Sequence, residues 1–379
     1  MNTPKSHLKQ KFTLRELAGS FGDWGTLTPF IIGYVSIVGL NPAGIFFCLG
    51  ITNIILGIRF NLPLPVQPQK TIGAIAISEA WTPNLVISTG FGTGIVWTIL
   101  GFTRFFERLV KRVPIITVRG IQLGLGLILG VTAFKFLSDN PLLALISFAI
   151  ILLLINNKKV PAAVLLVILG IILLFLSNEI SFLDIKFNVP NFEFMLPTID
   201  NLLVGMAIAG ISQLLLTLTN VMIATVSLIK DLFPDKPNAI SANSLAKNMG
   251  AMNLISPFIG GIPLCHGSGG LAAQYAFGAR TGGSMILEGI LEIFLGLFFS
   301  ETLFLIFNSF PKAVLGAMLL YTALLLVKIS FKDYNLRTLP IIIISAIFCL
   351  FFNITIGFLI GLALYIIIKR IFSKFKKEI

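Results

Sequence analysis

Polar and apolar positions fall in long blocks along this chain. Apolar stretches of roughly 17–25 residues recur from end to end, parted by short clusters of charge, proline or glycine. A helix rising about 1.5 Å per residue needs some 20 such residues to cross a hydrocarbon layer of about 30 Å. The blocks therefore predict an all-α polytopic membrane protein with fourteen transmembrane segments. The first seven lie at approximately 14–39, 42–60, 66–80, 84–104, 115–137, 141–156 and 160–177. The second seven lie at approximately 199–227, 240–257, 267–281, 283–307, 311–329, 336–352 and 354–371.

The placement of basic residues tests that count. With the N-terminus in the cytoplasm and every segment reversing direction, Lys5, Lys9, Lys11 and Arg15 fall on the cytoplasmic side. So do the basic clusters at 104–112, 158–159, 328–337 and 369–377. The opposite side receives only Lys135, Lys186 and Lys312. This is the positive-inside pattern, and a miscount by one segment would scramble it. The expected location is the cell membrane, multi-pass, with both termini cytoplasmic.

The loop 178–198, "NEISFLDIKFNVPNFEFMLPT", separates seven segments from seven. An odd number of crossings turns the second half upside down. The halves 1–177 and 199–379 are thus expected to form an inverted repeat around an extracytoplasmic linker, an architecture common in secondary transporters.

The third segment of each half is irregular. One reads "NLPLPVQPQKTIGAIAISEA" (61–80) and the other "GGIPLCHGSGGLAAQYAFGA" (260–279). Each begins with proline or glycine, which cannot continue a helix, and then turns to good helix formers. A half-helix of this length spans about half the hydrocarbon core, so segments 3 and 10 are expected to start near the midplane and meet there. Their unpaired N–H groups and positive dipole ends suit an anion.

Around these breaks the candidate binding residues are Gln67, Lys70, Thr71, His266, Gly267, Ser268, Gly269, Gln274 and Tyr275, with Thr219 and Asn220 from the eighth segment. Gly270 adds a third glycine that allows close backbone approach. A Lys at the membrane centre costs roughly 2.5–3.5 kcal/mol on insertion scales and needs a partner or a task. Asp23 is the candidate partner for a structural ion pair with Lys70, and equally a candidate proton carrier. Glu288 and Glu292, four apart on one helical face, offer either a proton path or an interhelical contact. His266 is read as an oxyanion donor or as a satisfied buried histidine. The amides and hydroxyls are read as ligands, as caps for freed backbone groups, or as helix–helix hydrogen bonds. Arg280 suits the C-terminal end of its half-helix.

Composition narrows the classes that remain. The chain is 56% hydrophobic and 12% charged, about half the charge of a soluble domain. Its net charge of +12 is explained by basic cytoplasmic loops, so nucleic acid is not an expected partner. Cys48, Cys265 and Cys349 lie in apolar segments without metal-ligand or disulfide spacing. No nucleophile–base pair, phosphate-binding loop or metal cluster is visible. Neither enzyme activity nor a cofactor or metal is expected, and the partners are the lipid bilayer and a small anion.

Three stretches carry a resemblance: "ELAGSFGDWGTLTPF" (16–30), "LPLPVQPQKTIGAIAIS" (62–78) and "GGIPLCHGSGGLAAQYAFGARTGG" (260–283). They resemble the signature segments of MOT-type molybdate transporters, a branch related to the sulfate permeases. The resemblance implies molybdate uptake by alternating access, with sulfate or tungstate as competitors. It also implies the seven-plus-seven fold of sulfate and nucleobase permeases, with a core domain and a gate domain. Protons are a candidate coupling partner, and a homodimer is a candidate assembly. A sulfate transporter or exchanger, and an anion channel on the same fold, stand as alternatives. Two positions depart from the family pattern: Gln69 replaces a methionine and Ser268 an alanine. The sequence ends at "KFKKEI" without a STAS domain, which fits the molybdate branch.

Overall fold

The computed structural model describes residues 10–103, 114–154, 162–190, 192–236, 239–332 and 334–375. Lys5, Lys9, Lys376, Lys377 and the basic clusters at 104–112 and 158–159 lie outside the described residues. In the first half the helices are α1 (Leu14–Ser20), α2 (Trp24–Ser36), α3 (Pro42–Phe60), α4 (Lys70–Ser78) and α5 (Pro83–Phe102). They are followed by α6 (Ile115–Leu137), α7 (Pro141–Leu154) and α8 (Ala162–Leu176). Beyond the linker come α9 (Ile199–Gly205), α10 (Ile211–Thr217), α11 (Ala224–Leu232), α12 (Ala242–Ile255) and α13 (Ser268–Phe277). The chain closes with α14 (Gly283–Phe298), α15 (Ser300–Asn308), α16 (Lys312–Ser330), α17 (Leu339–Phe351) and α18 (Ile354–Phe375).

Local sequence sets the ends of these helices. Asn41 caps α3 by accepting from the Ala43 amide, with Pro42 at the first helical position, and Thr82–Pro83 repeats the device for α5. Gly278, at φ +115°, ends α13 in the left-handed region that a side chain resists. Among the described residues, five helices are long and apolar enough to cross a membrane: α3, α5, α6, the stretch Ile199–Thr217 and α16. The pair α14–α15 qualifies together but is bent by 88°. The protein is a mostly helical, multi-pass membrane protein.

Four features differ from the sequence expectation. The all-α reading gains a two-stranded sheet, because the proline-rich run forms β1 (Val66–Pro68), antiparallel to β2 (Leu264–His266). The first segment breaks at residues 21–23, where a Cβ on Gly22 would stand 2.7 Å from the Ala273 carbonyl oxygen, so α13 packs directly against the break. The eighth runs on to Leu232 and contains π turns at Met206–Gly210 and Leu218–Ile223. The eleventh turns its corner at Phe299, where Phe187 of the linker stacks on Phe298 at 4.7 Å and the Asn188 amide bonds the freed Phe298 carbonyl at 3.0 Å.

The helices pack as two bodies. In one, α3 crosses α14 closely: a Cβ on Gly50 would lie 2.5 Å from the Gly289 carbonyl oxygen, so nothing larger than glycine fits. This body also holds α1, α4, α5, α9, α12 and α13. In the other, α6 packs against α16, α17 and α18, and α7 packs against α16. The sheet lies inside the first body, and the main cavity opens between the two.

Candidate functional site

The sheet brings together the two irregular segments. Val66 pairs with His266, Gln67 with Cys265 and Pro68 with Leu264. Each strand is clamped by an asparagine from the helix that packs behind it. Asn53 of α3 accepts from the Val66 amide at 3.1 Å. Asn253 of α12 accepts from the Leu264 amide and donates to the Leu264 carbonyl, both at 2.7 Å. Because the strands run antiparallel and lead into α4 and α13, the two half-helices start at opposite ends of the three-residue ladder, and both starts line one cavity.

Their amides differ in availability. The Thr71 amide of α4 donates to Gln213 Oε1 at 2.7 Å. The Ser268 and Gly269 amides of α13 make no hydrogen bond among the described residues, and a Cβ on Gly269 would meet nothing within 4 Å. Gly267 and Gly270 serve the protein itself: their backbones pass against the side chains of Gln67, Asp23 and Pro65.

These N-termini line a cavity of about 380 Å³. Gln67, Lys70, His266, Gly267, Ser268 and Gly269 form one wall with Gln213 and Thr217. His266 is 1% exposed; its Nδ1 lies 3.4 Å from the Pro65 carbonyl, and its Nε2 has no partner among the described residues. Gln67 Nε2 donates to Asp23 Oδ1, which fixes the amide at the cavity edge. Lys70 and Asp23 lie within electrostatic reach of one another.

The remaining predicted residues stand elsewhere. Thr71 lies behind the wall, its Oγ1 unpartnered among the described residues. Gln274 is outside the cavity and donates to Glu288 Oε2 at 2.7 Å; Trp24 Nε1 donates to Glu288 Oε1 at 3.1 Å. Glu292 accepts from Asn53 at 2.7 Å. Asp23, Glu288 and Glu292 thus form a buried acidic group behind the half-helices. Tyr275 also lies off the cavity, between Phe233 and the Arg280 guanidinium, which sits 3.5 Å from its ring centre. Arg280 bonds the Tyr275 and Ala279 carbonyls, as its place after α13 implies. The side chains of Thr219 and Asn220 lie outside the described residues.

Of the two departures from the family pattern, Ser268 lines the cavity and Gln69 does not. Gln69 is fully buried and donates to Thr93 at 2.9 Å and to the Leu264 carbonyl at 3.1 Å. Sequence reasoning missed Gln213, Thr217, Arg119, Gln122 and Lys332, all of which line the cavity. Arg119 was findable, since an ionisable residue inside an apolar span is a functional candidate by default.

Residues 15–129 and 203–326 match the family described as a molybdate transporter of the MFS superfamily. Molybdate transporter 2 of Arabidopsis thaliana is 31% identical over 93% of this chain and 87% of its own. Among solved structures, SLC26A9 superposes with a TM-score of 0.70 at 14% identity, over 94% of this chain. The chain spans 65% of the SLC26A9 length. The transmembrane domain of the cyanobacterial bicarbonate transporter BicA gives a TM-score of 0.67 at 15% identity, over 92% of this chain and 97% of that domain.

Proposed function

The chain belongs to the molybdate transporter family, and from that premise we propose that it moves molybdate, a tetrahedral dianion, across the membrane by alternating access. One observation carries the reading: the β1–β2 pairing sets two half-helix N-termini at the two ends of one short ladder, lining one cavity that also holds Lys70. Helix N-termini and a buried cation both favour an anion there. Lys70 supplies charge. The Ser268 and Gly269 amides and the Ser268 hydroxyl supply donors, with Gln67 held in place by Asp23; His266, its Nδ1–H directed at the Pro65 carbonyl, shapes the wall. Thr219 and Asn220 stay candidates beside them. Thr71 acts through Gln213, and Gln274 acts through Glu288, as positioning residues. Among the described residues no Phe, Tyr or Trp lines the cavity, which argues against a stacked nucleobase.

The proposed topology is fourteen crossings in the cell membrane with both termini cytoplasmic. The halves 1–177 and 199–379 form an inverted repeat around the linker 178–198. It is supported by the distribution of basic residues and by the matched construction of the two strand–helix units. The body holding the sheet is the core, and the body built on α6 and α16 is the gate. The cavity reaches Lys332 and Ile115, at ends the charge pattern assigns to the cytoplasm, so the captured form is inward-facing.

Asp23 is the proposed coupling group, because its bond to Gln67 ties the acidic group to the cavity wall. Uptake into proteoliposomes tests the whole reading. Saturable molybdate uptake, suppressed by sulfate only in large excess, is expected. Equal transport of sulfate would move the chain to the sulfate carriers, and a non-saturating current would identify a channel.

A further inference from the structure

A second cavity, of about 280 Å³, lies in the gate body between α7 and α16. α7 packs against α16 and buries one narrow stripe, Ala144, Ser147 and Ile151, at helical spacing. Phe148 and Leu152 flank that stripe, and with the buried Ile151 they form one wall. The other wall is a single face of α16, where Tyr321, Leu324 and Lys328 stand three and four residues apart. At 1.5 Å per residue the lysine lies about 10 Å along the helix from the tyrosine, with leucine between them. Leu152 and Leu324 are exposed, so the cavity opens sideways as a groove on the flank of the protein. On a membrane-spanning body that flank meets acyl chains. Lys328 sits in the last turn of α16, in the basic cluster assigned to the cytoplasmic side. Long helical side chains lean toward the N-terminus, which brings this lysine back over the groove.

We propose that this groove binds an anionic phospholipid of the cytoplasmic leaflet. One acyl chain lies along Phe148, Leu152 and Leu324, and the headgroup phosphate meets Lys328 at the membrane surface. The arrangement fits a lipid better than a free ion, because the groove offers one cation at its end and apolar side chains along most of its length. It favours an anionic headgroup over a zwitterionic one, because a basic residue at the head of a groove between membrane helices attracts net negative charge. The groove shares no lining residue with the anion cavity, so its failure would leave the oxyanion reading standing. Only the choice of leaflet depends on the topology proposed above.

The test is native mass spectrometry of the purified full chain in detergent, titrated with phosphatidylglycerol and with phosphatidylcholine of the same acyl chains. The unaltered protein is expected to retain phosphatidylglycerol roughly fivefold more tightly than phosphatidylcholine. Lys328→Gln should bring the two lipids within about twofold of each other, and Lys328→Arg should keep the preference. Lys369→Gln, which removes a basic charge elsewhere on the same side, should also keep it. Leu324→Trp, which fills the groove, should weaken both lipids at least about threefold. Because bound lipid is read by mass, a variant that is merely less stable is still scored. Equal retention of the two lipids by the unaltered protein would overturn the proposal, as would an unchanged preference in Lys328→Gln or unchanged binding in Leu324→Trp. An equal loss of preference in Lys369→Gln would reveal a general surface-charge effect and overturn it too. Retention of inorganic phosphate in place of lipid, or a lipid-free pair of chains as the sole species, would assign the groove to a different occupant.

Discussion

In the unit built on β1 and α4, the first-turn amide of Thr71 is held by Gln213 and the Gln69 side chain by Thr93, while charge arrives on Lys70. In the unit built on β2 and α13, the Ser268 and Gly269 amides are free of protein partners among the described residues, and the small side chains leave open space. Both units share the clamp by an asparagine, Asn53 or Asn253, and the same strand-then-helix order. The difference teaches a division of labour. One half supplies a cation on a frame held by Gln213 and Thr93, and the other supplies bare backbone donors for the anion to approach.

That comparison breaks most clearly at Lys70. Lys70→Met should weaken molybdate binding by about 100-fold while leaving thermal unfolding unchanged, because it removes the charge without touching the frame. On the other unit, Gly269→Val should weaken binding about tenfold by filling the open space before α13. Gly267→Ala should instead lower thermal stability, since its new methyl collides with the Gln67 side chain. If Gly269→Val bound normally, the anion would not sit at α13.

The clamps sharpen the shared part of the plan. Asn53→Ala leaves a Glu292 carboxylate that already has one oxygen without a partner among the described residues. Asn253→Ala removes both bonds to Leu264. Each should cost about 1–3 kcal/mol of stability, read as a lowered unfolding temperature in detergent. Asp23→Asn keeps an acceptor for Gln67, so equilibrium binding should change by less than about threefold while acid-driven uptake is lost. Unchanged acid-driven uptake would remove Asp23 from the coupling path. The smallest effect is expected for Gln69→Met, which restores the family's residue at a position facing Thr93. Molybdate and sulfate affinities should stay within about twofold of their starting values.

Much of this arrangement was legible in the sequence. The helix expected at 115–137 is found as Ile115–Leu137, because apolar composition alone fixes a long span. The breaks before Lys70 and Ser268 were legible from proline and glycine chemistry, which acts locally. The pairing of β1 with β2 was not, because each strand is three residues long and its partner lies nearly 200 residues away, as the 195-residue separation of Gln69 and Leu264 shows. The bend at Phe299 was hidden for a similar reason: no proline or glycine marks it, and the linker's Phe187 fills the corner. Within the site, Lys70 and His266 stood out as polar residues in apolar surroundings. Gln274 and Tyr275 carried the same signal, yet they face Glu288 and Arg280 instead of the cavity, since sequence spacing does not reveal which side of a half-helix looks inward.

The most direct test of the account is a calorimetric titration of molybdate into the purified protein and into Lys70→Met side by side. The account predicts a saturable single-site heat in the first and none at the same concentrations in the second, with matching unfolding temperatures. Equal affinity in the two proteins would contradict it and place the anion away from the paired half-helices.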